Sequence, residues 1–92
     1  MFVYVLTCNF IDVDGGTFDT TVIGTFKTIE LAQRMLKLEM KKARKDFKDY
    51  DAKEDTFVEG DMSWSIWEDG EYASHHCDLA ISEQLILDDI IE

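Results

Sequence analysis

Positive charge is missing from most of this chain. Residues 1–26 and 54–92 contain no lysine or arginine, so all nine cations of the 92-residue sequence lie between Lys27 and Lys53. Acidic residues occur throughout, with twelve of the twenty in residues 54–92, and the formal net charge is −11. A surplus of this kind keeps a small protein dispersed in water, and it also suits binding to a basic partner.

Proline is absent and cysteine is rare. Without proline, no predicted helix or strand is interrupted by a missing N–H group. Two cysteines, Cys8 and Cys77, cannot build a disulfide framework, and we expect reduced thiols in a cytoplasmic protein. We expect no signal peptide, because no basic segment precedes the apolar first residues. We also expect no contact with a membrane, because no apolar run approaches the length of a membrane span.

The stretch from Thr28 to about Tyr50 predicts one long amphipathic helix. Its apolar residues recur at steps of three and four and fall on one stripe: Ile29, Ala32, Leu36, Met40, Ala43, Phe47 and Tyr50. Thr28 suits the N-cap position, and Glu30 follows in the first turn, where the helix dipole favours an anion. The cations in or beside this helix are Lys27, Arg34, Lys37, Lys41, Lys42, Arg44, Lys45 and Lys48.

Four strands are predicted around this helix. The first, residues 2–10, is apolar on both faces, which indicates a central strand. The second, residues 19–26, is rich in Thr, Val and Ile, and Gly24 within it indicates a bulge or a close approach of the helix. The third runs from Met62 to about Glu68, and the fourth lies between Ser74 and Leu87. Hairpin turns are predicted at residues 11–18 and at Asp69-Gly70.

These elements predict a single α+β domain over residues 1–92, in the order β-β-α-β-β. The four strands form an antiparallel sheet with the helix on one face, and residues 51–61 form an acidic connection. The tail stays open between two interpretations, because Ser82 could instead cap a short helix through Ile91. The uncovered face is predicted to carry Val3, Val5, Ile23 and Trp67. Because that face is apolar, it is a candidate surface for a homodimer or another partner.

Catalytic and metal-binding motifs are not found. Asp12-x-Asp14 resembles the start of a calcium loop, but Ile23 stands where that loop needs a bidentate glutamate. The segment His75-His76-Cys77-Asp78 lacks the paired ligand spacing of a structural zinc site. A nucleophile at Cys8 would lie on the predicted core face. We therefore expect no metal, no cofactor and no enzymatic activity.

Direct binding to nucleic acid is also not expected. The basic face of the helix could contact phosphates, but the large acidic excess elsewhere repels them. Aromatic residues are not interleaved with the lysines, as they are in proteins that stack on bases.

Two resemblances bear on function. Tyr4-Val5-Leu6-Thr7 and Gly24-Thr25-Phe26-x-Thr28, followed by Ala32 in a helix and later by a tryptophan strand, resemble small uncharacterised bacterial and phage proteins. That resemblance implies no active-site residues. In size, acidity and lack of catalytic residues, the chain is also similar to phage inhibitors of the anti-CRISPR and anti-restriction type.

The leading hypothesis is a non-enzymatic inhibitor that occupies the basic, nucleic-acid-binding surface of a defence enzyme. Its carboxylates would stand in for phosphates. The alternative is a homodimeric ligand-binding or regulatory module of a mobile element, which associates through the uncovered sheet face. The candidate partner-binding residues are Asp12, Asp14, Asp19, Glu54, Asp55, Glu59, Asp61, Glu68, Asp69 and Glu71.

Overall fold

One helix packs against one face of an antiparallel sheet in the computed structural model, which describes residues 1–12, 16–70 and 74–86. The elements are β1 (Phe2–Asp12), β2 (Thr17–Phe26), α1 (Ile29–Asp46), β3 (Ala52–Glu54), β4 (Ser63–Glu68) and β5 (His75–Leu85). The strand order is β2-β1-β5-β4-β3, and every neighbouring pair is antiparallel. The α+β class is therefore confirmed. The central position of β1, between β2 and β5, is confirmed as well.

The predicted number of strands is wrong, because the sheet has a fifth strand within residues 51–61. This strand, β3, is three residues long and pairs with the end of β4 through Ala52↔Glu68 and Glu54↔Ile66. So short a segment of mixed charge has no alternation by which a sequence could reveal it. Contacts from distant residues hold it instead: the Asp55 amide donates to the Ser65 carbonyl at 3.0 Å.

Helix α1 follows the predicted stripe. The Thr28 side chain caps its first turn by accepting from the Leu31 amide at 3.2 Å. Ala32, Leu36, Met40 and Ala43 are buried against the sheet, and so is Phe47, the C-cap residue. The helix ends before the predicted end of the stripe, which leaves Tyr50 beyond it and exposed.

The core lies between α1 and the three central strands. Leu6 of β1, Leu79 of β5, Trp64 of β4 and Leu36 of α1 are its fully buried large side chains. Phe10 and Cys8 of β1 are partly buried against this cluster. Cys8 therefore lies on the helix-facing side of the sheet, as the sequence predicted.

A bulge in β2 changes which residues reach each face. Leu6 pairs with Gly24 but Thr7 pairs with Val22, so Ile23 is an extra residue that turns toward the helix and packs on the core. The prediction that Ile23 lies on the uncovered face is therefore wrong, whereas the predicted bulge at Gly24 is confirmed. A Cβ atom on Gly24 would lie 2.8 Å from the Phe26 ring, so a larger residue here would require that ring to shift.

The face away from α1, called the open face below, is crossed by two rows of paired residues. One row is Trp67, His76, Ile11 and Phe18, and the next is Ser65, Asp78, Asn9 and Thr20. Phe18 is 66% exposed.

The predicted fourth strand is confirmed from His75 to Leu85, whereas residues 87–91 of the predicted tail lie outside the described residues. Within the described residues, no helix has the length and apolar character needed to cross a membrane.

Candidate acidic binding site

Carboxylates collect at one end of the sheet, where β1 and β4 end and β3 and β5 begin. The strand register places Asp12 opposite His75 and Glu68 opposite Ala52. The amide of Asp69 donates to the Asp51 carbonyl at 2.7 Å, which fixes the segment after α1 beside the end of β4. We call this region the acidic end, and it comprises Asp12, Asp46, Asp49, Asp51, Glu68 and Asp69.

His75 lies between two of these carboxylates. Its Nδ1 is 2.9 Å from Glu68 Oε1, and its Nε2 is 3.6 Å from Asp12 Oδ2. Tyr50 stacks on the imidazole, with ring centroids 4.5 Å apart and an angle of 21° between the rings. The histidine thus ties the ends of β1 and β4 to the segment that follows the helix.

The Glu68 carboxylate is stabilised in its charged form. The hydrogen bond with His75 and a second one from the Ser74 amide, at 3.1 Å, lower the pKa of Glu68 below its ordinary value. Asp12 and Glu68 approach opposite nitrogens of the His75 ring, so these three side chains do not converge on one point. In the described part of the chain, no group of three histidine, cysteine or acidic side chains is arranged to hold a metal ion.

Asp46, Asp49 and Asp51 lie at the C-terminal end of α1 or just after it, and all three are exposed. A helix C-terminus carries partial negative charge, so carboxylates there are unfavourable for the helix. The cations Arg44 and Lys45 in the last turn offset part of this effect. The prediction of site residues missed these three aspartates, although their placement against the helix dipole was readable in the sequence.

The ten predicted site residues fall into three groups. Asp12, Glu68 and Asp69 belong to the acidic end, and Asp19 is exposed on β2 opposite Phe10, two residues from that end. Asp14 and Glu71 lie outside the described residues. The remaining four, Glu54, Asp55, Glu59 and Asp61, lie along β3 and the loop before β4.

That third group is bonded within the domain. Arg44 donates hydrogen bonds to Glu54 from Nε and from a terminal guanidinium nitrogen, and the terminal nitrogen lies 2.7 Å from Oε1. Lys37 Nζ lies 2.7 Å from Glu59 Oε1. The Asp55 carboxylate accepts a hydrogen bond from the Ser65 backbone amide at 3.1 Å, and the Asp61 carboxylate accepts one from the Val58 backbone amide at 2.8 Å.

Arg44 also has a packing role. Its guanidinium carbon lies 5.0 Å from the ring centroid of the buried Trp64, which is within the range of a cation–π contact. The Trp64 indole donates to the Asp55 carbonyl at 3.1 Å. Part of the basic helix face therefore holds β3 and β4 in place.

A serine, a histidine and an aspartate meet on the open face, but in an order that does not suit catalysis. Asp78 Oδ1 accepts from Ser65 Oγ and also lies 2.7 Å from His76 Nε2. In a hydrolase triad the histidine lies between the other two and takes the proton of the serine. Here the aspartate lies between them, so His76 does not activate Ser65.

Comparisons with protein-family models, with curated proteins and with solved structures give no match. The structure shows an α+β domain with a carboxylate-rich end and an open sheet face.

Proposed function

We propose that this chain is a non-enzymatic interaction protein whose acidic end binds the basic, nucleic-acid-binding surface of a partner protein. In this proposal it acts as a phage anti-defence inhibitor of the anti-CRISPR type, and its carboxylates replace phosphates. One observation carries the proposal: carboxylates from three separate segments lie together at one end of the sheet, on β1, at the end of β4, and in the connection between α1 and β3.

The charge of the acidic end is maintained by its surroundings. Glu68 is held in its ionised form by His75. Asp49 and Asp51 are exposed, and Asp69 has one nearby cation, Lys53, at 3.3 Å. Exposed carboxylates are available for paired hydrogen bonds with arginine side chains, which also bind phosphate in this manner.

The carboxylates near β3 support the proposal by contrast. Glu54 and Glu59 already have cation partners on α1, so a basic partner would have to break both pairs. At the acidic end this applies to Asp69, which pairs with Lys53, whereas Asp49 and Asp51 are exposed. We therefore assign partner binding to the acidic end and leave Glu54, Asp55, Glu59 and Asp61 with a structural role.

A displacement assay tests this function. A fluorescent DNA duplex is bound to each of a panel of purified nucleases and repressors, and the chain is then added. We expect the wild type to displace the duplex from at least one basic protein. We expect the variant Asp49→Asn/Asp51→Asn/Asp69→Asn to need roughly tenfold more protein for the same displacement.

The control variant removes the same number of charges elsewhere. Glu30, Glu59 and Glu83 are exposed and lie away from the acidic end, so Glu30→Gln/Glu59→Gln/Glu83→Gln should displace the duplex nearly as well as the wild type. Displacement from no member of the panel, or equal losses in both variants, would contradict the proposal.

The second candidate function is a homodimeric ligand-binding or regulatory module. The open face favours it, because Phe18 and Val22 are more than half exposed and Trp67 stacks with His76 at 6.2 Å between ring centroids. Two copies meeting through this face would cover those side chains. Sedimentation equilibrium tests it: we expect a dimer for the wild type and a monomer for Phe18→Asp. A wild-type monomer at every concentration would exclude this function.

A further inference from the structure

The two cysteines lie on neighbouring strands with their sulfur atoms in contact. Cys8 of β1 and Cys77 of β5 both face the helix, and their Sγ atoms are 3.5 Å apart. In the strand register Cys8 is opposite Leu79 and Cys77 is opposite Phe10, so the two cysteines are diagonal neighbours. Sixty-nine positions separate them in sequence, so only the fold brings them together.

We propose that Cys8 and Cys77 are a site of reversible oxidation and form an intramolecular disulfide with a small disulfide oxidant such as glutathione disulfide. The bond requires the sulfur atoms to approach to about 2.05 Å, a movement of roughly 1.5 Å from their present separation. The proposal requires the two side chains to rotate and β1 and β5 to shift slightly toward each other at this point.

A cavity lies beside the two cysteines. It has a volume of about 200 Å³ and lies between the C-terminal half of α1 and the sheet. Cys8, Cys77 and Phe10 line it on the sheet side, and Lys42 and Phe47 line it on the helix side. Cys8 is partly exposed and Cys77 is buried, so Cys8 is the sulfur that an incoming reagent meets first.

The reaction proceeds in two exchange steps. The Cys8 thiolate attacks one sulfur of the oxidant, which breaks the oxidant's S–S bond, releases one thiolate and leaves a mixed disulfide on Cys8. The Cys77 sulfur, after loss of its proton, then attacks Cys8 Sγ and expels the second thiolate. Overall, two cysteine S–H groups lose two electrons to the oxidant and two protons to the solvent, and the oxidant becomes two thiols.

The order of attack agrees with the electrostatics of the Cys77 thiol. Burial, followed by the proximity of Cys8, raises the pKa of Cys77 to about 12. Cys77 is therefore a poor first nucleophile at neutral pH. Its later attack on the Cys8 mixed disulfide is accelerated by the short distance between the two sulfur atoms. We expect the rate of disulfide closure to rise with pH throughout the alkaline range.

Intact-mass spectrometry tests the proposal on the full chain, after incubation with glutathione disulfide at mildly alkaline pH. We expect a loss of two hydrogens, a Cys8–Cys77 cross-linked peptide after digestion, and return to the starting mass with dithiothreitol. We expect the oxidised form to have a Tm at least about 5 °C higher, because the cross-link restricts a long segment of the unfolded chain.

Three controls make each outcome decisive. Cys77→Ala should stop at a glutathione adduct on Cys8, and Cys8→Ala should react far more slowly. A chain unfolded in urea shows whether the oxidant is active under the same conditions. Retention of both thiols in the folded chain while the unfolded chain reacts would overturn the proposal. An adduct on wild-type Cys8 that never closes, or cross-linking between two chains, would also overturn it.

Discussion

The acidic end and the carboxylates around β3 contain the same residue types but have opposite surroundings. Near β3, Glu54 and Glu59 meet cations of α1, and Asp55 and Asp61 accept backbone hydrogen bonds. At the acidic end, Asp12 and Glu68 approach opposite nitrogens of His75, Asp69 pairs with Lys53, and Asp49 and Asp51 are exposed. A count of acidic residues therefore does not identify a binding surface, because some of those residues stabilise the fold.

The helix supports both regions, so its loss should have the largest effect. Leu36 is fully buried in the core, and Leu36→Asp would place an unpaired charge there. We expect the domain to unfold, as measured by circular dichroism and thermal melting. Leu36→Met is the matched control, because it keeps volume and polarity and should cost less than about 1.5 kcal/mol. Cooperative melting of Leu36→Asp near the wild-type Tm would contradict the assignment of this stripe to the core.

Removal of Arg44 should affect only the β3 region. Arg44→Met loses the pair with Glu54 and the contact with Trp64, so we expect a loss of about 1 kcal/mol in the free energy of unfolding. Urea denaturation measures that loss, and the displacement assay should be unchanged. Lys41→Met, on the same exposed helix face, should leave stability nearly unchanged. A large loss of displacement by Arg44→Met would show that the two regions are not separable.

The acidic end should show its own dependence on pH. The folded-state pKa of Glu68 is lowered, so its contribution to stability is present above the unfolded-state pKa and is lost as the pH falls through the folded-state pKa. Glu68→Gln removes this contribution, and its Tm should therefore fall less than that of the wild type between about pH 6 and about pH 3. Glu83→Gln is the comparison variant. If the Tm of Glu68→Gln falls as much on acidification as the Tm of the wild type, the hydrogen bond between Glu68 and His75 does not stabilise the fold.

Neutralisation at the helix C-terminus should have the smallest effect on folding. Asp49 and Asp51 lie where the helix dipole disfavours carboxylates. Asp49→Asn/Asp51→Asn should therefore leave the Tm unchanged or raise it slightly, with a gain of less than about 1 kcal/mol in the free energy of unfolding. Thermal melting at low salt measures this difference. A marked fall in Tm would mean that these carboxylates hold the fold and are not reserved for binding.

The sequence predicted the elements that depend on local periodicity. The helix stripe from Ala32 to Phe47, the Thr28 cap, and the faces of β1 and β4 follow from spacing alone. The three-residue strand β3 could not be predicted, because it exists only through its pairing with β4 and the contacts around Asp55. Ile23 was assigned to the wrong face, because a bulge shifts the alternation by one residue without any change in the apolar pattern.

The candidate site was predictable in composition but not in arrangement. Asp12, Glu68 and Asp69 are among the predicted partner-binding residues, and only the sheet register shows that they share one end. Glu54 and Glu59 look equivalent to them in sequence, and long-range pairs with Arg44 and Lys37 distinguish them. The contact between Cys8 and Cys77 likewise depends on the pairing of β1 with β5.

The association rate at two salt concentrations tests the central claim most directly. A basic protein identified by displacement is immobilised, and the wild type is compared with Asp49→Asn/Asp51→Asn/Asp69→Asn and Glu30→Gln/Glu59→Gln/Glu83→Gln. We predict that the first variant associates roughly tenfold more slowly at low salt, that the second stays within about twofold of the wild type, and that high salt removes most of the difference. Equal slowing of both variants would mean that only net charge matters, and it would contradict the claim that the acidic end is the binding site.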